Sequence, residues 1–197
     1  MPVRRKSYRP ARGRRESLWQ TRGTTIKYLL FVLGGLLLGS LAAVLCGVEA
    51  IPCQILINQL TAIPQRGLWA LWRERLLFMA ILLLYLMIAG RCLWGSSMIP
   101  AAPLLFGIGQ GTAVTFMLML LGWSGTGYIL LAVVLPRTVE LAALILLCNL
   151  SQSACARLKS SEDGIAQTML WTAGAALLAI GALLESIMKA KMVTGIL

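Results

Sequence analysis

The sequence contains no histidine, and only 7 of its 197 residues are acidic. Its charged fraction is 13%, against about a quarter in an ordinary soluble domain. That scarcity excludes a soluble globular fold at the outset. The missing histidine removes most zinc and haem chemistry. It also removes the usual base that activates a Ser or Cys nucleophile. Five cysteines are present, Cys46, Cys53, Cys92, Cys148 and Cys155, and none forms a C-x-x-C pair. They read as small apolar residues in or near spans, although Cys46 and Cys53 could pair if both lie on the outer side. No nucleophile–base–orienter set is visible, no metal or other cofactor is indicated, and the sequence argues against an enzyme.

What the chain has in quantity is apolar sequence: 58% of residues are hydrophobic and the mean hydropathy is +0.81. These values define a polytopic membrane protein that takes the lipid bilayer as its solvent. The expected fold class is all-α, a transmembrane helix bundle of about five spans. The spans fall near residues 28–46, 76–93, 104–121, 128–150 and 166–188, within a membrane domain covering 27–197. A basic tail, residues 1–26, precedes it and reads as disordered.

The net charge of +11 suggests a nucleic-acid partner until its distribution is considered. Half of the 18 basic residues, from Arg4 to Lys27, precede the first span, and no folded basic module follows them. This is the positive-inside pattern with an attraction to anionic lipid, and no nucleic acid is implied. With the N-terminus in the cytoplasm, twelve basic residues fall inside and five outside, with Arg137 inside the membrane. Five spans then put the C-terminus outside. The apolar run after Lys27 is long for a signal-peptide core and lacks an A-x-A cleavage site. Leu45 before Cys46 is a poor fit to a lipoprotein cleavage box. The first span is therefore read as an uncleaved helix.

Gly35 and Gly39 in the first span, and Gly107 and Gly111 in the third, stand one turn apart and suit close helix packing. The connection Gly47–Arg75 is punctuated by Pro52 and Pro64. The piece between them mixes Ile55, Leu56 and Leu60 with Gln54, Asn58 and Gln59, as expected of a short helix on the membrane surface. Trp69 and Trp72 beside Arg73 read as interfacial anchors. The string G-I-G-Q-G-T at 107–112 superficially resembles a phosphate loop. It has the wrong glycine spacing, follows no strand and lacks the lysine, so nucleotide binding is rejected.

The most unusual stretch is Ile99–Cys155, two spans joined by a glycine-rich corner at Gly122–Gly127. It places Gln110, Pro136, Arg137 and Glu140 within apolar sequence, where a bilayer penalises charge and rewards an unbroken helix. Pro136 should kink or break the fourth span. Arg137 and Glu140 are three residues apart, so they share a helix face and are expected to pair. Asn149 and Glu185 are candidates for the same polar cluster. The favoured reading is an ion pair that locks the fourth span to its neighbours. A broken helix lining a transport path is the alternative. A proton relay built from one Arg and one Glu without histidine ranks last.

The segments G-I-G-Q-G-T-A-V-T-F and G-W-S-G-T-G-Y-I-L-L-A-V-V-L-P-R-T-V-E-L-A-A resemble the signature region of the stage II sporulation protein M family. Members have a Gly-rich span, a glycine corner, then Leu-Pro, often with a Glu where Glu140 stands. Many carry His where Arg137 stands here. The terminal A-L-L-E-S, containing Glu185, is similar to the family's last span, and the resemblance covers most of residues 27–190. It implies an integral membrane scaffold required for forespore engulfment at the septal membrane. The partners it implies are a peptidoglycan amidase and a lytic transglycosylase, with Gly47–Arg75 and Gly122–Gly127 as contact surfaces. A homo-oligomer is compatible with it. A superfamily member without a sporulation role and a transporter using Arg137 and Glu140 are the alternatives.

Overall fold

In a computed structural model, residues 12–47, 49, 51–62, 68–92, 94–157 and 164–196 are described, and among them every regular element is helical. In order these are α1 (Arg12–Cys46), α2 (Ile51–Ala62), α3 (Leu68–Arg91), α4 (Gly95–Met98), α5 (Ala101–Leu121), α6 (Thr126–Tyr128), α7 (Leu135–Arg157) and α8 (Gly164–Ile196). A 3₁₀ turn, Gly122–Gly125, leads into α6, and a π-helical segment, Ile129–Val134, leads into α7.

Among the described residues, four stretches are long and apolar enough to cross a membrane: Gly23–Cys46, Gly95–Leu121, Ile129–Ala156 and Trp171–Lys189. The protein is thus an all-α, multi-pass membrane bundle. Helix α3 is the fifth long helix, with 24 residues. Its apolar stretch, Leu76–Gly90, falls short of the about 20 residues a span requires, because Arg73, Glu74 and Arg75 occupy its first turns. It nevertheless packs in the bundle beside α7 and α8, and its Met79, Leu82, Leu86 and Ala89 are buried.

Several boundaries differ from the sequence reading. Helix α1 begins at Arg12, inside the tail expected to be disordered, whose residues 1–11 lie outside the described ones. Arg and Lys are good helix formers, and the propagating helix of the first span extends back through them. The 47–75 connection contains α2 where the surface helix is expected. Pro64, expected as a breaker, lies outside the described residues. The connection ends by Leu68, so Trp69, Trp72, Arg73 and Arg75 are the first turns of α3 and not loop.

Two glycine pairs hold α1 against α5. A Cβ on Gly35 would collide with the backbone carbonyl of Leu104, and one on Gly39 with that of Ile108. Reciprocally, Gly107 faces the carbonyl of Val32 and Gly111 that of Leu36. Between apolar helices in lipid, such backbone proximity supplies van der Waals contact that bulkier residues would prevent. Gly34, one position from this seam, has open space where a Cβ would go.

The chain is not broken at Pro136, which is buried in the second position of α7. Proline lacks the N–H that would bond four residues back, and its ring crowds that carbonyl. The π segment just before it lets a carbonyl reach one residue further along the helix, so the irregularity takes the form of a wide turn. The glycine corner reverses the chain at Gly122, whose φ of 59° is readily reached by glycine.

Candidate buried ionic site

Four helices each bring polar side chains to one place in the bundle. Helix α3 supplies Arg75, α5 supplies Gln110, α7 supplies Arg137 and Glu140, and α8 supplies Glu185 and Lys189. Helical spacing explains the α7 pair, which stands on one side of its helix. On α8, Glu185 and Lys189 are one turn apart and pair directly, Nζ to Oε1, at 2.7 Å.

Arg137 and Glu140 do not satisfy each other as the i, i+3 spacing suggests. Each turns to a different helix. Arg75 Nη2 donates to Glu140 Oε2 at 2.7 Å, and Arg75 Nε lies 2.8 Å from Glu185 Oε2. Arg137 donates through Nη2 to Glu185 Oε1 at 3.2 Å and through Nε at 3.3 Å. Its Nη1 donates to Gln110 Oε1. Glu185 therefore receives three cations, and Arg75 bridges both carboxylates. Interhelical pairing prevails because an arginine's long stem spans the gap between adjacent helices and its planar fork matches a carboxylate edge.

The carboxylates are inside and the cations reach outward. Glu140 and Glu185 have side-chain exposures of 0% and 1%, while Arg75 and Lys189 retain 20% and 22%. Gly181 makes room for this arrangement, since a Cβ there would lie 2.7 Å from Glu140 Cγ. The guanidinium of Arg75 also stands over the Phe78 ring, 5.4 Å from its centroid.

Asn149 is not part of this cluster. It lies more than two turns further along α7, where Nδ2 donates to Thr25 Oγ1 at 3.2 Å and Oδ1 accepts from Thr24 Oγ1 at 2.9 Å. Nearby, Tyr28 donates to Gln152 at 2.5 Å. These bonds form a second, uncharged polar seam that joins α1 to α7. The expected cluster thus divides in two. Gln110, Arg137, Glu140 and Glu185 stand together with Pro136 one residue away on α7, and Asn149 stands apart.

Arg75 and Lys189 are the members that sequence reasoning placed elsewhere, in an outer segment. Arg75 was masked by the Trp–Arg belt around it. Of that belt, Trp69 is exposed and meets Trp72 edge to face at 5.4 Å. Trp72 Nε1 also donates to the Ala179 carbonyl of α8 at 3.4 Å, so Trp72 packs within the bundle as well as at its edge. Arg73 is exposed. A signal was available for Lys189: it stands four residues after Glu185, the favoured order for a helical ion pair.

Cys46, Cys53, Cys92, Cys148 and Cys155 are all free thiols, Cys53 and Cys148 being buried. Among the described residues no group of His, Cys, Asp and Glu is placed to hold a metal ion.

Fold and site together define the class, a multi-pass helical membrane protein with a charged seam across four helices. No protein-family model, no curated protein and no solved structure matches the chain.

Proposed function

We propose that this chain is a non-enzymatic membrane scaffold of the stage II sporulation protein M kind. It would hold a peptidoglycan amidase and a lytic transglycosylase at the septal membrane during forespore engulfment. The resemblance over Gly107–Phe116, Gly122–Ala143 and the Glu185 segment supplies this reading. The observation that supports it best is the inward commitment of the intramembrane charge. Both carboxylates are buried and engaged by arginines from other helices. Transport paths turn such groups toward a water-filled route; here they are turned toward one another, which serves to fix helix positions.

In this reading the N-terminus is cytoplasmic, following the basic residues of the tail. The outer end of the bundle then carries α2 and the Gly122–Gly127 corner, where Trp123 is 92% exposed. This end is the contact surface for the hydrolases. Deleting the gene in a spore-forming host is expected to stall engulfment, and affinity capture of the tagged chain to recover both enzymes. Normal engulfment with no wall hydrolase recovered overturns the proposal. Labelling of Thr138→Cys or Ala142→Cys by a membrane-impermeant maleimide would favour a transport path instead.

A further inference from the structure

The ionic cluster does not balance. Among the described residues it contains Arg75, Arg137 and Lys189 against Glu140 and Glu185, leaving one surplus positive charge. The adjoining Arg73 and Glu74 are both exposed and carry opposite formal charges, so the two together leave the sum unchanged. A surplus charge inside an apolar bundle is costly unless a counter-charge reaches it.

The carboxylates are sealed, and the most exposed side chains of the cluster are Arg75 and Lys189 on the α3–α8 edge, at 20% and 22% against 12% for Arg137. Both cations stand at the limit of apolar sequence. Arg75 immediately precedes the apolar stretch of α3, and Lys189 is the last residue of the span Trp171–Lys189. The exposed indole of Trp69 lies less than two turns before Arg75 on the same helix. Amphipathic Trp rings settle at headgroup level, so the edge faces the zone where lipid phosphates lie. Cations held at that level attract an anionic headgroup by direct charge pairing, on whichever side of the membrane they lie.

We propose that the α3–α8 edge binds the phosphate of an anionic phospholipid through Arg75 and Lys189, in the leaflet at the α2 end of the bundle. The lipid supplies a counter-charge to the cluster, and its acyl chains lie beside Phe78, which is exposed and stands under the Arg75 guanidinium. This inference is independent of the hydrolase partners and stands or falls separately from them.

The full chain in detergent is titrated with phosphatidylglycerol and with phosphatidylcholine of the same acyl length, and bound lipid is read by native mass spectrometry. One cation at a membrane surface contributes about 1 kcal/mol, so wild type is expected to prefer phosphatidylglycerol by about fivefold or more. Lys189→Gln abolishes that preference, Lys189→Arg keeps it, and Arg73→Gln, outside the cluster, leaves it within about twofold. Equal loss in Lys189→Gln and Arg73→Gln means diffuse attraction and overturns the site. So does equal retention of the two lipids by wild type, or displacement of the lipid by inorganic phosphate alone. A photoactivatable phosphatidylglycerol provides a readout that needs no variant. Cross-links confined to residues 73–81 and 185–191 support the site, and cross-links spread over the other helices overturn it.

Discussion

Glu185 accepts Arg75, Arg137 and Lys189, and Glu140 depends on Arg75. Removing one partner of a buried pair leaves the other uncompensated, which costs about 3–5 kcal/mol. Glu140→Ala should cost less than that, about 1–3 kcal/mol in a detergent unfolding assay, because Arg75 stays paired with Glu185. A double-mutant cycle separates the two possible partners of Glu140. Coupling with Arg75 is expected at about 1–3 kcal/mol, and coupling with Arg137, which bonds elsewhere, should be clearly smaller. Gly181→Ala tests the same place by shape: a methyl 2.7 Å from Glu140 Cγ should cost about 1–3 kcal/mol through overpacking. The identity of most of these residues was legible in the sequence, because charge within apolar helix stands out. Their pairing was not. Spacing along α7 favoured Arg137 with Glu140, whereas the partners came from α3 and α8, and one chain read alone carries no record of which helices adjoin.

Among the helices, α1 and α5 approach backbone to backbone through two glycine pairs. Gly35→Ala or Gly107→Ala drives a methyl into a carbonyl of the facing helix. Each should lower the thermal midpoint, with a loss of about 1–3 kcal/mol. Gly34→Ala, directed at open space, should be neutral or slightly stabilising, since alanine is the better helix former. The glycine spacings were visible in sequence, but their mutual pairing was not, because any two such motifs could meet. Helix type was legible throughout from long apolar runs. Boundaries were less so: α1 and α3 continue past their apolar segments into charged sequence, where side-chain polarity resembled loop although backbone propensity favoured helix. At Pro136 the kink or break expected from proline chemistry takes the form of a π turn just before it, a backbone adjustment with no sequence signature of its own.

The whole bundle is stitched by polar groups at two levels. The charged cluster lies toward the end that carries α2, and the Asn149–Thr24–Thr25 and Tyr28–Gln152 bonds lie toward the other. The buried apolar core around them includes Leu86, Ile99, Leu144 and Leu147. This architecture places exposed Cys46, at the end of α1, and exposed Cys92, after α3, at opposite ends of the bundle. In intact vesicles an impermeant maleimide added outside should label one of them, and the other only after permeabilisation. Labelling of both from one side would mean that α3 does not cross.

Arg75 also dictates an order of events during synthesis. It leaves the ribosome 65 residues ahead of Glu140, and Glu185 follows later still. Until they emerge, α3 offers the translocon a bare guanidinium beside a short apolar run, a poor substrate for insertion. Its stable entry into lipid waits for α7 and α8, so in a nascent chain arrested at Gly125 an α3 probe such as Ala80→Cys should react with a membrane-impermeant maleimide, and in the released chain it should be shielded.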